Sequence, residues 1–285
     1  MKVLVTGVRG QLGFDIYHTF QATSHEVIGT TRETLDLTDL DSIPLILDSH
    51  KPDCIIHCAA YTKVDQAEQE KELCWLVNTE ATKVMVDWCQ RNQAKLIFFS
   101  TDYVFDGTGD QPFDENAPTN PINYYGFTKR EAEKYIEKQL DKYTIYRVSW
   151  LYGAQGHNFV KTMLKLFETK DTIQVVNDQI GSPTNTKDIA EFIVQTFDEN
   201  LRGIYHLNNQ EYMSWYDFAV MIRDSVKSTC EVKPISSDAF FKGGMAKRPY
   251  NSRLGSKKIN IESSTIMGTH RKALKHFLKQ YFKII

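Results

Sequence analysis

Tyr125 and Lys129 are the residues whose types and spacing most directly suggest proton-transfer chemistry. They lie four positions apart at the start of a predicted helix, so their side chains should share one face of it. An ammonium near a phenol favours the phenolate, and we therefore expect the pKa of Tyr125 to fall from about 10 toward a range useful for proton transfer. Because this spacing is also common by chance, the interpretation needs a second feature.

The second feature is a hydroxyl, Thr101, at the end of a predicted strand, Leu96–Ser100. If this strand belongs to a parallel sheet, Thr101 lies at the edge where such sheets bind ligands. Its hydroxyl can then bond to a substrate carbonyl. Combined with a nicotinamide cofactor, the hydroxyl, the phenol and the lysine are the parts needed to reduce a carbonyl by hydride and proton transfer.

A glycine-rich turn between a strand at Lys2–Thr6 and a helix that begins near Gln11 predicts the cofactor site. Its G-x-x-G-x-x-G spacing allows a sharp turn, a close approach of backbone to a pyrophosphate, and close packing of helix on strand. The helix N-terminus adds N–H groups and a positive dipole. The residues of this turn expected to bind the cofactor are Gly7, Arg9, Gly10, Gln11, Leu12 and Gly13.

The end of the next strand, Val27–Gly29, favours NADP(H) over NAD(H), which we keep as the weaker alternative. The acidic residue that normally bonds to the adenosine ribose of NAD is missing from this strand end, and Arg32 lies where a 2′-phosphate would be. Arg9 is a possible second cation. The alternative is that both arginines are solvated surface residues.

Further candidate cofactor contacts follow the other strands. Asp36, which precedes Leu37, could accept a hydrogen bond from the adenine amine or could cap a helix. Small residues after a strand at Cys54–His57 either let the backbone approach the cofactor or simply form a turn. These contacts comprise Asp36, Leu37, Cys58, Ala59, Ala60, Tyr61 and Ser100.

Short apolar runs alternate with amphipathic segments up to about Trp150, which predicts an α/β fold with a Rossmann-type, doubly wound parallel sheet. A last strand of this part is expected at Thr144–Val148, and helices should begin near Asp41, Glu68 and Asn123. Shorter mixed elements follow and suggest a smaller C-terminal substrate-binding lobe. We therefore expect an NADP-binding domain at 1–150 and a substrate lobe at 151–285, from which some segments could return to the first domain.

In the second part, helices are expected near Asn158–Phe167, Lys187–Phe197 and Trp215–Ser228, with a strand near Ile173–Val176. Ser214 and Asp217 have the spacing of a capping box, which favours a helix start between them.

Composition excludes several classes of protein. The net charge of −2 is spread along the 285 residues, which does not favour nucleic acid or an anionic membrane surface as a partner. No apolar stretch suggests a signal peptide or a membrane span. The five cysteines lack C-x-x-C spacing, so we expect neither a disulfide framework nor a zinc site, and a cytoplasmic location.

These motifs together resemble the extended short-chain dehydrogenase/reductase family, and within it the reductases of dTDP-linked 4-keto-6-deoxy sugars. The resemblance is carried by the glycine turn, the Ser100–Phe105 run, the Tyr125 and Lys129 pair, and segments 60–68, 149–152, 177–184 and 248–254. It implies NADPH-dependent reduction of dTDP-4-dehydro-6-deoxy-L-mannose, the last step of dTDP-L-rhamnose synthesis.

The resemblance also implies roles for single residues. Tyr125 would give the proton, Lys129 would tune it and hold the nicotinamide ribose, and Thr101 would orient the keto oxygen. Trp150 has the alternative of being a core aromatic residue, and Arg248, which could meet the diphosphate, that of lying in a surface loop. The substrate-binding set comprises Thr62, Val64, Thr101, Asp102, Tyr103, Tyr125, Trp150 and Arg248.

Other readings remain open at this stage. Some relatives form homodimers around magnesium held by acidic side chains, but the matching position here is the shorter Asp15, so this route is doubtful. No catalytic metal is expected, and His57, His157 and His206 are interpreted as structural. The rival functions are a reductase or epimerase acting on another nucleotide sugar, and a non-catalytic NADP-binding regulatory subunit.

Overall fold

A parallel sheet of six strands forms the centre of the computed structural model, which describes residues 1–241 and 243–282. Its strand order is β10-β5-β4-β3-β1-β2. The strands of this sheet are β1 (Lys2–Thr6), β2 (Glu26–Thr30), β3 (Cys54–His57), β4 (Lys95–Thr101), β5 (Tyr143–Val148) and β10 (Gly203–His206). The remaining strands form two-stranded pairs and are β6 (Leu151–Tyr152), β7 (Thr172–Val176), β8 (Ile180–Gly181), β9 (Thr184–Asn185), β11 (Met213–Ser214) and β12 (Glu231–Ile235).

Helices connect and cover these strands. The first part of the chain contains α1 (Gln11–Phe20), α2 (Ser42–His50), α3 (Val64–Ala67), α4 (Lys71–Trp75), α5 (Ala81–Asn92) and α6 (Tyr124–Gln139). The second part contains α7 (Phe159–Thr169), α8 (Thr186–Thr196), α9 (Trp215–Ser225), α10 (Ser237–Phe240), α11 (Lys257–Glu262) and α12 (His270–Phe282). No helix of the described residues is both long enough and apolar enough to cross a membrane.

Helices pack on both faces of the sheet, which confirms the doubly wound α/β prediction. Successive side chains of a strand point to opposite faces. Val3 accordingly packs with Ile16 of α1 on one face, and Leu4 packs with Met85 of α5 on the other. Because both faces are covered, each strand reads as a continuous apolar run.

Two elements from beyond residue 150 join the first part. Strand β10 pairs in parallel with β5, and α8 packs beside α1 through Phe192 in the same core cluster as Ile16. A separate cluster built from α7, α9 and α12 forms the core of the second lobe, with Phe218 and Phe277 at its centre. The predicted capping box is present, since Ser214 accepts the Asp217 N–H and the Asp217 carboxylate accepts from the Ser214 N–H.

The segment expected to be one helix from about Glu68 is more complex. Helix α3 ends before Glu68, and α4 continues into α5 through a π-helical turn, Leu76–Glu80. This turn holds the buried Asn78, whose side chain bonds to both backbone groups of Tyr61. Single π turns inside helices frequently accompany functional sites.

The strand order reverses between β1 and β3, which are neighbours at the centre of the sheet. In open α/β sheets, the crevice beyond the carboxyl ends of the strands at such a reversal is where ligands bind. The loops that follow β1 and β3 here are the glycine turn and the Cys58–Tyr61 segment. The fold therefore brings these predicted cofactor segments together.

Candidate active site

The glycine turn has the geometry that its spacing predicts. Gly7 adopts a φ of 69°, in the left-handed region that favours glycine, and the Gly10 N–H donates to the Gly7 carbonyl at 2.8 Å. A Cβ added to Gly13 would lie 2.4 Å from that carbonyl oxygen, and one added to Gly7 would lie 3.0 Å from Ala59. Side chains at Gly7 and Gly13 would therefore crowd the turn that lies between α1 and the loop after β3.

The N-terminus of α1 is open to a ligand. Gly10 occupies its N-cap position, and no side chain caps it. Its first N–H groups and the helix dipole are thus available to a phosphate, as dinucleotide pyrophosphates require. Leu12 is buried in the core, while the Gln11 side chain accepts from Asn158 at 3.0 Å and ties the turn to the second lobe.

The loop after β3 is held rigidly against the glycine turn. The Thr6 hydroxyl accepts the N–H groups of Cys58 and Ala59, each at 3.0 Å. Asn78 fixes Tyr61 through two hydrogen bonds. The Tyr61 N–H donates to Asn78 Oδ1 at 2.8 Å, and Asn78 Nδ2 donates to the Tyr61 carbonyl at 3.1 Å. Ala60 lies between these fixed points. Sequence analysis missed Asn78, whose only signal was a polar residue inside an apolar helical pattern.

The end of β2 carries both cations and acids. Arg32 has 80% of its side chain exposed and lies 3.8 Å from Asp36. Arg9 pairs with Glu33 at 2.5 Å. No carboxylate was predicted at this strand end, but Glu33 follows Arg32 directly, and the turn after β2 folds Glu33 back onto Arg9 of the glycine loop.

The Asp36 carboxylate accepts from the Thr38 N–H at 2.9 Å and the Thr38 hydroxyl at 2.8 Å. Asp36 therefore caps a turn, and the helix-cap alternative is wrong, because Asp41 holds the N-cap position of α2. The Leu37 side chain is buried in the core on one face of the sheet, which leaves only its backbone for a ligand.

Thr101 and Tyr125 meet at the carboxyl end of β4. The Thr101 hydroxyl accepts from the Tyr103 N–H at 3.2 Å and donates to Asp102 at 3.1 Å, and the Tyr125 phenol lies beside it. Asn123 caps α6 by accepting from the Gly126 N–H at 2.8 Å. A Cβ on Gly126 would lie 2.0 Å from the Tyr103 carbonyl oxygen, so this glycine lets the helix start pack directly on the 102–104 turn.

Lys129 lies one turn further along α6, with 3% of its surface exposed, and its ammonium sits 3.9 Å from the centre of the Phe98 ring. Burial lowers its pKa to about 7. Burial, and next the charge of Asp102, raise the pKa of Tyr125 above its ordinary value. The expectation that Lys129 lowers the pKa of Tyr125 is therefore wrong for this structure, because desolvation disfavours the charged form of each group.

Orphaned polar atoms surround this point. Within the described ranges 1–241 and 243–282, the buried Ser100 hydroxyl, one Asp102 carboxylate oxygen and the Ser252 hydroxyl lack a hydrogen bond. The Ser252 hydroxyl lies beside the Asp102 carboxyl but outside hydrogen-bond geometry. Burial raises the pKa of Asp102 to about 6. Buried polar groups in proteins are normally paired, and Asp102 and Ser252 are neighbours, so the Ser100 hydroxyl is the atom here that leaves a position for a ligand.

The other predicted substrate residues line one side of this point. Tyr103 packs edge-on against Tyr125, with ring centres 6.1 Å apart. Arg248, with 15% of its side chain exposed, donates to Asp65 at 2.9 Å, which fastens its loop to α3. Thr62 is exposed, and Val64 begins α3. Arg248 is therefore a largely buried, ion-paired residue, and not the freely solvated surface-loop residue of the alternative interpretation.

Trp150 lies just past the end of β5, whose Val148 pairs with Thr101 of β4. It is half-buried and stacks on Trp215, with ring centres 3.5 Å apart and an interplanar angle of 8°. Trp150 therefore lies at the rim of the sheet formed by the carboxyl ends of β4 and β5. Trp215 is a second aromatic residue at this rim, and it was not predicted from the sequence.

Asp15 and two of the histidines face inward. Asp15 is buried and accepts from the Thr186 hydroxyl of α8, so its carboxylate is not on the surface. His57 bonds to Thr6 at 2.8 Å, and burial lowers its pKa to about 3, so it is neutral. His206 is buried beside Arg147, whereas His157 is exposed.

The chain is similar to known proteins over nearly its whole length. The chain is 38% identical to the spore coat polysaccharide biosynthesis protein SpsK of Bacillus subtilis, over 98% of this chain and 97% of that protein. It is 38% identical to the dTDP-4-keto-6-deoxy-D-glucose reductase of Streptomyces niveus, over 88% of each. The crystal structure of dTDP-4-dehydrorhamnose reductase from Bacillus anthracis in complex with NADP superposes with a TM-score of 0.93 at 36% identity, covering 97% of this chain and 98% of that one.

Residues 1–283 also match the family described as RmlD substrate binding domain. The match spans nearly the whole chain and includes both the glycine turn and the Tyr125 and Lys129 pair. The chain therefore belongs to the RmlD substrate binding domain family, within the extended short-chain dehydrogenases/reductases that its motifs indicated.

Proposed function

We propose that this protein reduces the C4 keto group of dTDP-4-dehydro-L-rhamnose with NADPH, forming dTDP-L-rhamnose. The observation that carries the proposal is the meeting of Thr101, Tyr125 and Lys129 beyond the carboxyl ends of the strands, beside an open helix N-terminus. The buried Ser100 hydroxyl, which lacks a hydrogen bond among the described residues, supports a ligand beside Thr101. The Bacillus anthracis structure, named as a dTDP-4-dehydrorhamnose reductase with NADP, supports the choice of sugar and cofactor.

When bound, NADPH supplies the hydride that adds to the carbonyl carbon. The α1 N-terminus and the glycine turn would hold its pyrophosphate, and the loop Cys58–Tyr61 is bonded to the end of β1 beside that turn. Thr101 orients the keto oxygen, and Tyr125 gives it a proton. The raised pKa of Tyr125 keeps the phenol protonated before the reaction, as a proton donor must be.

We propose that residues 1–150 chiefly hold the cofactor and residues 151–285 chiefly the sugar nucleotide. Arg248, which pairs with Asp65 of α3, and Trp215, which stacks on Trp150, support this division, since both reach the first part from the second half of the chain. We also propose a cytoplasmic location, where NADPH is made. A homodimer stays a prediction. Dimerisation through magnesium is not supported, because the Asp15 carboxylate is buried.

Arg32→Ala should weaken binding of NADPH more than that of NADH. A charge-assisted contact to the 2′-phosphate is worth about 1.5–3 kcal/mol, or roughly ten- to a hundredfold in Kd. Because Arg32 is largely exposed, we expect the lower end of this range, and raising salt should reduce the effect. Titration of both cofactors against wild type and variant measures it.

Glu33 offers a matched comparison at the same strand end. Its carboxylate neutralises the Arg9 guanidinium that we propose as a second cation for the 2′-phosphate, so Glu33→Gln should tighten NADPH binding several-fold. It should leave NADH unchanged or weaker, since a ribose hydroxyl would lose an acceptor. Equal effects on both cofactors in either variant would mean that these residues only shape the loop.

Asp102 should make the reaction sensitive to pH near 6, the value to which burial raises the pKa of Asp102. When Asp102 is ionised, its carboxylate accepts the hydrogen bond of the Thr101 hydroxyl. When Asp102 is protonated, it can instead donate to the Thr101 oxygen, and the Thr101 hydroxyl can then donate to the keto oxygen. We therefore expect kcat/KM to fall several-fold as pH rises through about 6. Asp102→Asn, which does not titrate in this range, should remove this step from the pH profile, whereas an unchanged step would place it on another group.

The rival functions separate in one assay. NADPH consumption with a dTDP-linked 4-keto sugar supports a reductase, and its absence with every keto-sugar nucleotide supports a regulatory subunit. An epimerase would interconvert sugars without net consumption of NADPH. The second substrate to test is dTDP-4-keto-6-deoxy-D-glucose, which the name of the Streptomyces niveus relative contains.

A further inference from the structure

The backbone of Trp150 is strained. Its φ is 51°, in the left-handed region that bulky side chains rarely adopt. Such conformations persist only where surrounding contacts enforce them, and they cluster at functional sites. Trp150 follows β5 at the rim that carries Thr101, so the strained residue lies at the proposed sugar site.

Two contacts hold the Trp150 indole in place. It stacks on Trp215 at 3.5 Å and 8°. It also lies so close to Gly181 that a Cβ there would be 2.5 Å from its Cε2 atom. The Trp150 carbonyl accepts from the Thr184 N–H at 3.2 Å, so backbone and ring are both constrained.

Trp215 is itself firmly anchored. It is the first residue of α9, directly after the Ser214 capping box, and β11 pairs with the β8 strand that contains Gly181. Its ring lies 4.6 Å from Phe159, which stacks on the buried Phe218 of the second lobe. The stack thus connects the rim to the core of the substrate lobe.

We propose that Trp215 is a positioning residue, which holds the Trp150 indole against Gly181 so that the free edge of this ring meets the sugar and the keto carbon faces the reacting groups. This rests on the proposed function, in that the sugar lies at the rim beside Thr101. Trp215 touches Trp150 rather than the reacting atoms, so it acts through its neighbour. Trp215 and Gly181 cover the two faces of the indole, so the half-buried ring offers the sugar a fixed apolar edge.

The test compares Trp215→Leu with Trp215→Phe. Leu removes the flat partner and should lower kcat for the keto sugar roughly 10- to 100-fold, the scale of a small misplacement of substrate. The Kd for NADPH should stay within about twofold, because the contacts given for the stack come from Gly181 and Phe159 rather than from the predicted cofactor loops. Phe keeps a flat ring and should recover most of the activity. The circular dichroism couplet of two stacked indoles should disappear in both variants.

Phe277→Leu is the matched control, since it loosens the same core cluster at a ring that packs on Tyr152 rather than on Trp215. Its kcat should remain near that of wild type. A Trp215→Leu variant with normal kcat would overturn the proposal, as would equal losses of kcat and melting temperature in Trp215→Leu and Phe277→Leu.

A binding measurement keeps this test separate from the proposed reaction. Wild type should bind dTDP-L-rhamnose more tightly than dTDP, and Trp215→Leu should lose that difference. Absence of turnover in wild type would contradict the proposed function alone. Equal preference for the sugar nucleotide in wild type and variant would contradict the role of Trp215.

Discussion

Tyr125→Phe should lower kcat at least ~100-fold, the scale expected when one general acid is removed. The phenol lies beside Thr101 at the carboxyl end of β4, and its raised pKa keeps it protonated. Phe fills the same space without a proton to give, so the fold and the Kd for NADPH should not change. Steady-state kinetics and a cofactor titration measure both quantities.

The neighbouring Tyr124 provides a matched control for this variant. It precedes Tyr125 at the start of α6, and its ring lies 5.3 Å from the Lys71 ammonium rather than near Thr101. Tyr124→Phe should therefore keep nearly normal turnover. Near-normal turnover of Tyr125→Phe, or equal losses in the two variants, would exclude Tyr125 as the acid.

Lys129→Met should have the second large effect, lowering kcat by about 100-fold or more and weakening NADPH at least about tenfold. Its ammonium is buried beside Phe98, and no ion pair to it is found among residues 1–241 and 243–282. Because burial lowers its pKa to about 7, the amine is charged below that pH and neutral above it. NADPH binding by wild type should therefore weaken as pH rises through about 7, and this step should be absent in the variant.

Stability distinguishes this role from a structural one. Replacing an unpaired buried amine with Met removes a desolvated charge, so the melting temperature should stay the same or rise. Lys134→Met, an exposed change on the same helix, should alter neither kcat nor cofactor binding. A fall in melting temperature with unchanged kinetics would show that Lys129 serves only the fold.

Local patterns predicted the elements that carry the site. Only residues adjacent in the sequence are needed to interpret the apolar runs of β1 and β3. The same holds for Gly7, Gly10 and Gly13 between the first strand and the first helix. Thr101, Tyr125 and Lys129 could likewise be placed, because the carboxyl ends of parallel strands share one edge.

Long-range features could not be read in this way. Glu33 reaches Arg9 only through the turn after β2, Asn78 reaches Tyr61 only through a π turn, and Trp215 meets Trp150 from another lobe. The expected direction of the Tyr125 pKa shift was wrong for the same reason. Burial depends on the packed structure, and it outweighs the effect of a charge one helical turn away.

The measurement that tests the proposed function most directly is NMR identification of the product made from NADPH and dTDP-4-dehydro-L-rhamnose. The geometry of Thr101 and Tyr125 predicts consumption of one NADPH per sugar and formation of dTDP-L-rhamnose, and Tyr125→Phe should abolish both. A talose-configured product, or the absence of NADPH consumption by the folded, cofactor-bound protein, would contradict it.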